Sequence, residues 1–108
     1  MTAFGRMGGA MNIENNYDLT YLVNDTERLV FEELGQVLEE EQYKGVCICQ
    51  DCVIDMATLA LNRLEPRYHA SLLGTIYAQS AGNEQYTEKV REAVNFAVKK
   101  VSSNPAHS

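Results

Sequence analysis

Residues 51–64 read DCVIDMATLALNRL, and they set the architecture expected for the whole chain. Asp51 can cap a helix, and Pro66 disfavours helical geometry at Glu65, so we predict a helix over residues 51–64. Its main apolar face consists of Val53, Ala57, Ala60, Leu61 and Leu64, and this surface is widened by Ile54, Met56 and Leu59. A helix this apolar is usually central, buried on several sides or shared with a partner subunit.

Two amphipathic helices are predicted on either side of this segment. Upstream, Asn24 and Glu27 have the spacing of a capping box, and a helix follows to about Glu41. Its apolar positions are Val30, Leu34, Val37 and Leu38. Downstream, a helix begins near Asn83 and carries a stripe of Tyr86, Val90, Ala93, Val94, Ala97, Val98 and Val101. We therefore predict a mostly α-helical fold, a small domain of three main helices plus short helices and turns.

The remaining segments have weaker signals. Residues 18–23 are predicted as a short helix or a turn, and residues 66–71 as an extended segment or a turn. Residues 72–79 are ambiguous between a short helix and a strand, which Gly82 ends. The Gly- and Asn-containing residues 1–16 are expected to be a flexible leader, residues 17–103 the helical domain, and residues 104–108 a flexible tail.

The charge of the chain limits its partners. The formal net charge is -6 in 108 residues, which argues against a general DNA or RNA binder. Most of the acidity falls in residues 25–41, so the neutral middle of the chain can still hold a small anion.

A membrane span needs about 18 consecutive apolar residues, and the sequence has no such run. Without a secretory signal pattern either, we expect a cytoplasmic protein.

Three cysteines form the pattern C-x-C-x-x-C at Cys47, Cys49 and Cys52. Closely spaced thiolates on a loop that leads into a helix suit a soft tetrahedral ion, and zinc is the default. A structural site needs a fourth ligand, for which His69 is the best candidate; Asp51, His107 or a group from another subunit are alternatives. A catalytic site would leave that position to water. The cysteines can also be read as small buried hydrophobes or as a redox switch.

A polar segment follows the predicted central helix. Asp55 and Asn62 lie seven residues apart, on one helix face, and Arg63, Arg67 and Tyr68 follow. Arginines can clamp phosphates and stack on purines, tyrosine adds a stacking face, and Asp or Asn can pair with a base edge. These side chains together are therefore suited to binding a nucleotide. The structural alternative is that Asn62 and Arg67 cap the helix end, Asp55 pairs with an arginine, and Tyr68 packs.

The run from Cys47 to Tyr68, CICQDCVIDMATLALNRLEPRY, resembles the late competence development protein ComFB family. The family pattern is approximately C-x-C-x-x-C-x-x-D, an apolar helix, and A-L-N-x-L-P-P-x-Y. The matching residues after the cysteines are Asp55, Ala60, Leu61, Asn62, Leu64, Pro66 and Tyr68. Glu65 replaces the first proline of the usual pair. Gly74 and the apolar last helix also fall where the family has them, so the resemblance covers roughly residues 25–101.

This resemblance implies a small helical homodimer in which clustered cysteines hold a structural zinc in some members. Members look like receptors for the second messengers cyclic di-GMP and cyclic di-AMP, linked to competence, type IV pilus function and motility. The ligand-binding residues it implies are Asp55, Asn62, Arg63, Arg67 and Tyr68, and the zinc ligands it implies are Cys47, Cys49 and Cys52. The fourth ligand in the family is a cysteine, and this chain has no further cysteine, so His69 is expected as the fourth ligand from the residues alone. The arginines would contact phosphates or purines.

The sequence features are compatible with three functions. The first is a non-enzymatic cyclic dinucleotide receptor that acts through a protein effector. The second is a structural zinc adaptor that binds a partner protein and no nucleotide. The third is a small zinc hydrolase, which the lack of a recognisable general base and the sulfur-rich ligand set disfavour. The sequence also shows no nucleophile with a base and no Gly-rich phosphate loop, so we expect no enzymatic activity.

Overall fold

The computed structural model describes residues 10–70 and 83–105 of the chain. Within these ranges the elements are α1 (Ile13–Asn16), β1 (Val23–Asn24), α2 (Asp25–Val37), a 3₁₀ turn (Glu41–Tyr43), α3 (Gln50–Asn62), β2 (Tyr68–His69) and α4 (Asn83–Ser103). The predicted mostly α-helical fold is confirmed, with α2, α3 and α4 as the three main helices. The predictions for residues 72–79, Gly74 and His107 lie outside the described residues.

Helix α2 begins where the sequence predicts and ends earlier. Asn24 is its N-cap, and its side-chain oxygen accepts the backbone N–H of Thr26 at 3.1 Å. The helix ends at Val37 rather than near Glu41. Three successive glutamates, at positions 39–41, would otherwise stand at the negative end of the helix dipole, which is unfavourable. The chain instead turns into the 3₁₀ segment, whose buried Tyr43 donates its hydroxyl to Asn95 Oδ1 at 2.7 Å.

Helix α3 begins one residue earlier than predicted and has a different cap. Cys49, not Asp51, is the N-cap, because its backbone is extended and its sulfur accepts the N–H of Cys52 at 3.4 Å. Asp51 lies in the first turn, where a carboxylate favours the helix dipole. The helix ends at Asn62 rather than at Leu64.

The buried face of α3 also differs from the predicted one. Cys52, Met56 and Ala60 are buried against α4, which is the main packing partner of α3. The predicted face is only partly covered: Val53, Ala57, Leu61 and Leu64 are half-buried. Because α3 is apolar on nearly all sides, its sequence pattern does not determine which of its faces packs against α4. The α4 stripe, by contrast, is buried as predicted, from Tyr86 to Val101.

A two-stranded antiparallel ribbon closes one end of the helical body. Strand β1 pairs with β2, with Val23 opposite His69 and Asn24 opposite Tyr68. The backbone N–H of Asp25 also donates to the carbonyl of Arg67 at 2.7 Å. The start of α2 therefore lies beside the residues that follow α3, as in an antiparallel helix pair. The described helices include none that is long and apolar enough to cross a membrane.

A buried hydroxyl pair joins all three long helices near this ribbon. Tyr86 donates its hydroxyl to the carbonyl of Glu65 at 2.8 Å, and Thr26 Oγ1 lies 2.6 Å from the same hydroxyl. Thr26 Oγ1 also lies 2.9 Å from the Glu65 carbonyl oxygen. These bonds satisfy the carbonyl of Glu65, which lies three residues beyond the end of α3.

Replacing Tyr86 with phenylalanine is expected to lower the free energy of unfolding by about 1–3 kcal/mol, because buried polar partners lose a hydrogen bond while the ring remains. Urea denaturation measures this loss. The matched control is Tyr21→Phe, measured at a protein concentration low enough to keep the chain monomeric, since Tyr21 is exposed there and its variant should unfold like the parent protein. Equal stability of the two variants would contradict the role assigned to the Tyr86 hydroxyl.

Candidate metal and ligand sites

The three cysteines meet at the N-terminal end of α3. Cys47 lies on the preceding loop, Cys49 caps the helix, and Cys52 is in its first turn. Their sulfur atoms all lie within 4.8 Å of one another. Cys49 is exposed, Cys47 half-buried and Cys52 buried, so the cluster reaches from the surface to the core. The C-x-C-x-x-C spacing therefore produces a compact thiol cluster, as the sequence predicts.

The geometry of this cluster fits a tetrahedral metal ion. Zinc with Zn–S bonds of about 2.3 Å holds its sulfur ligands about 3.8 Å apart, and the three sulfur atoms here lie within 4.8 Å of one another. Anionic sulfur at this position is also favoured by the helix N-terminus. The three cysteines are therefore a group that could hold a metal ion through their sulfur atoms.

The thiols have different acidities. The pKa of Cys49 is lowered, because the backbone N–H of Cys52 donates a hydrogen bond to its sulfur. Burial, reinforced by the neighbouring thiols, raises the pKa of Cys52 to about 11. Cys49 therefore ionises more readily than Cys52, and a metal ion has to displace the proton of Cys52.

The expected fourth ligand, His69, lies far from the cysteines. It is in β2, and its Nε2 is 3.9 Å from Oδ1 of Asp25, at the end of the molecule where α3 finishes. The structure therefore does not bring His69 into the metal site of its own chain. Among the described residues the cluster contains only the three cysteines, so Asp51 is not part of it.

The two predicted arginines lie at and just beyond the opposite end of α3, and the guanidinium carbon of each lies over an aromatic ring of α4. The guanidinium carbon of Arg63 is 3.9 Å from the centroid of Phe96, and that of Arg67 is 3.6 Å from the centroid of Tyr86. Cation–π contacts of this kind hold the guanidinium planes in place. Arg63 is exposed and Arg67 is half-buried.

The other predicted ligand residues differ in their exposure and in how close they lie to this end of α3. Asn62 is the last residue of the helix and is exposed, and Tyr68 in β2 is 61% exposed. Asp55 is half-buried two turns earlier on the helix. Arg63 also lines a cavity of about 270 Å³ together with Leu64 and three residues of α4: Lys89, Glu92 and Ala93.

Sequence reasoning missed the contribution of α4 to this end of the molecule. Lys89 and Phe96 are seven residues apart and therefore share a helix face beside the buried stripe. That spacing could have predicted that Lys89 and Phe96 lie on one face of α4. The contact of Phe96 with Arg63, however, depends on how α4 packs against α3. A second role of Asn24, beyond capping α2, was also missed: its side-chain oxygen accepts the backbone N–H of Arg67 at 2.7 Å, so it helps to position that residue.

The thiol cluster and the arginine pair are separate sites. Cys52 and Arg63 are eleven positions apart in the sequence, which is about 16 Å along a helix. A metal ion at the cysteines therefore does not contact a ligand at the arginines of the same chain. It can only order the start of the helix whose far end carries them.

These features define a class of small helical protein, in which a central helix begins at a thiol cluster and ends at ring-stacked arginines. The chain belongs to the ComFB family: the family model, described as late competence development protein ComFB, matches residues 23–105. This confirms the resemblance found in the sequence. The metal-capable cysteine triad lies inside the matched region.

A solved structure supports the same assignment at the level of the fold. The chain is similar to the late competence protein ComFB from Bacillus subtilis, with a TM-score of 0.64 and 24% sequence identity. The similarity covers 80% of this chain and 93% of that chain. Comparison with curated proteins finds no significant match.

Proposed function

We propose that this protein is a receptor that binds a cyclic dinucleotide, cyclic di-GMP or cyclic di-AMP, and regulates competence, pilus or motility processes through a partner protein. The observation that carries the proposal is the pair of arginines held on aromatic rings at the end of α3. Zinc at the cysteines would have a structural role in this receptor.

Ring-stacked arginines are well prepared to bind a nucleotide. A guanidinium plane has two faces, and when one rests on an aromatic ring the other can stack on a purine. Arg63 is the clearer case because it is exposed to solvent. Its N–H edge can at the same time donate to a phosphate. Because the plane is already held by Phe96, less side-chain entropy is lost when a ligand binds.

The charge near Arg63 also suits a phosphate. Arg63 and Lys89 supply two positive groups to the 270 Å³ cavity, against the single carboxylate of Glu92. This volume suits a phosphate and its sugar rather than a whole dinucleotide. The bases would then lie outside the cavity, where the exposed ring of Tyr68 and the amide of Asn62 are candidates for stacking and base pairing.

We extend the proposal to a homodimer. A cyclic dinucleotide has two equivalent halves, and a two-fold dimer presents two copies of the arginine pair to it. One side of α3 remains available for such an interface, because Ile54 is 53% exposed and Ala57 and Leu61 are only half-buried.

We propose binding rather than catalysis. The thiols, which are the strongest nucleophiles of the described residues, lie about 16 Å from the arginines along α3. His69, the histidine in the described part of the chain, faces the buried Asp25 and not the cavity at Arg63.

Replacing either Arg63 or Arg67 with alanine is expected to weaken dinucleotide binding by about 1.5–3 kcal/mol, roughly 10- to 150-fold in Kd. Isothermal titration with cyclic di-GMP and cyclic di-AMP measures the affinity, with GTP and ATP as ligand controls. Arg91→Ala is the matched control, because Arg91 forms an exposed ion pair with Glu33 on another side of α4.

Tight binding of one cyclic species by the parent protein would identify the messenger, and normal binding by Arg91→Ala would show that the effect is local. If both arginine variants bind like the parent protein, the site is elsewhere. If the folded, zinc-loaded parent protein gives no heat with any of the four nucleotides, the receptor proposal is refuted.

The zinc adaptor is the second candidate, and the compact thiol cluster favours it. In this function the dimer would present the acidic surface of α2 to a protein partner. The arginine variants would then keep partner binding, whereas loss of a zinc-binding cysteine would abolish it by unfolding the domain.

A further inference from the structure

Gly35 occupies an unusual position in the middle of α2. Its backbone φ is not positive, and a Cβ atom built there would meet nothing within 4 Å. Neither backbone geometry nor internal crowding therefore requires a glycine, although glycine destabilises a helix interior relative to alanine. A glycine in such a place lets an outside segment approach the helix backbone closely.

Gly35 lies in the floor of an open groove between α2 and α3. The groove has a volume of about 370 Å³ and is apolar apart from Gln50. Phe31 of α2 and Ile54 of α3, on its walls, are 54% and 53% exposed. Large apolar side chains lining one groove with a glycine floor are typical of a binding surface for another apolar segment.

The same chain carries an apolar segment without a core to bury it. Residues 11–22, which we call the arm, precede β1, and every residue of the arm is exposed. Its large apolar residues are Met11, Ile13, Tyr17, Leu19, Tyr21 and Leu22. Solvated leaders are usually poor in such residues. The arm also lies before residue 23, where the ComFB family match begins, so the family fold does not account for it.

We propose that the groove binds the arm of a second copy of this chain, and that the two copies exchange arms reciprocally. This inference deepens the homodimer proposed above by naming its contact. The arm joins the helical body at the start of α2, whereas the groove runs along the second half of α2. Within one chain the arm does not lie in the groove, because all of its residues are exposed. With its four-residue helix α1 intact, the arm of twelve residues can still reach about 30 Å, enough to cross to a neighbouring copy.

The arm itself has features of a docking segment. Asn12 caps α1, and Asp18 accepts two bonds from Thr20, so polar side chains give the arm a local shape without burying its apolar groups. Tyr17 and Tyr21, 56% and 73% exposed, are the residue type most often found as anchors at interfaces. Reciprocal exchange buries both arms and both grooves in one symmetric contact.

Tryptophan fluorescence tests this contact directly, because the chain has no tryptophan. The variant Tyr21→Trp places a single indole on the arm of the full-length protein. Its emission is expected to shift to the blue as protein concentration rises, in step with dimer formation measured by sedimentation velocity. Adding Gly35→Gln, which fills the groove floor with a good helix former, should keep the emission red and weaken dimerisation at least tenfold.

Gly35→Ala is the matched control for the fold. It should raise the urea midpoint, because alanine favours the helix, yet weaken dimerisation less than Gly35→Gln. A stabilised helix with a weakened dimer is a combination that a merely structural glycine would not produce. Loss of the fold in Gly35→Gln would show as a lowered urea midpoint and would point to an internal role for Gly35, against the proposal.

The remaining outcomes separate this inference from the homodimer itself. A dimer whose indole emission stays red overturns arm docking and leaves the homodimer standing. A blue emission from protein that sedimentation shows to be monomeric means that each arm binds its own groove, and a blue shift unaffected by Gly35→Gln places the arm elsewhere. A protein that is monomeric at every concentration overturns both proposals.

Discussion

Purified protein is expected to contain one zinc ion per chain, and removing it should lower the free energy of unfolding by about 4 kcal/mol when free zinc exceeds Kd a thousandfold. The reason is that the three thiols gather at the start of α3 only in the folded chain. Elemental analysis gives the stoichiometry, and urea denaturation with and without a chelator gives the stability. Cys52→Ser should lose both the metal and the added stability.

His69→Gln is the matched control, because His69 lies at the other end of α3 and should not affect zinc content. Zinc affinity should also fall about tenfold for each unit by which the pH is lowered, for each thiol proton that the metal displaces. Since the pKa of Cys52 is raised to about 11, this thiol keeps its proton through the neutral range, so affinity rises with pH there. A fully folded protein that contains no zinc would refute the metal site.

Replacing Met56 with alanine is expected to destabilise the protein by about 2–5 kcal/mol, because the side chain is fully buried between α3 and α4 and its loss leaves a cavity. The urea midpoint, measured at a protein concentration low enough to keep the chain monomeric, reports the loss. This substitution tests which face of α3 forms the core.

Ile54→Ala is the comparison variant on the same helix. Ile54 is 53% exposed, so this change should cost about 1 kcal/mol or less in the monomer. Equal losses for the two variants, or a larger loss for Ile54→Ala, would mean that α3 is packed with the opposite side inward. The expected difference between the variants is large enough to decide between the two faces.

Features that depend on local spacing were predictable from the sequence. Periodic apolar residues identified α2 and α4, because a helix repeats every 3.6 residues and each of these helices has one polar side. Asn24 was identified as a cap from its residue type and position. The thiols of Cys47, Cys49 and Cys52 were predicted to lie close together, because these cysteines are only two and three positions apart in the sequence.

Boundaries at the ends of α2 and α3 were predicted less well. The helical pattern of α2 continues past Val37, but the pattern carries no information on the charge that accumulates at positions 39–41. Asp51 was a reasonable cap, yet Cys49 takes this role, since a sulfur acceptor is rarely considered for it. Both differences are small in sequence and leave the order of elements unchanged.

Local sequence alone therefore determined the helices, the thiol cluster and the family pattern of the protein. Tertiary structure decided which side of α3 is buried, because a helix apolar on nearly all sides takes its orientation from its neighbours. It also separated His69 from the cysteines, since the antiparallel arrangement of α2 and α3 places β2 at the far end. The stacking of Arg63 on Phe96 is equally a tertiary property, because its two partners are more than thirty residues apart and meet only when α4 packs on α3.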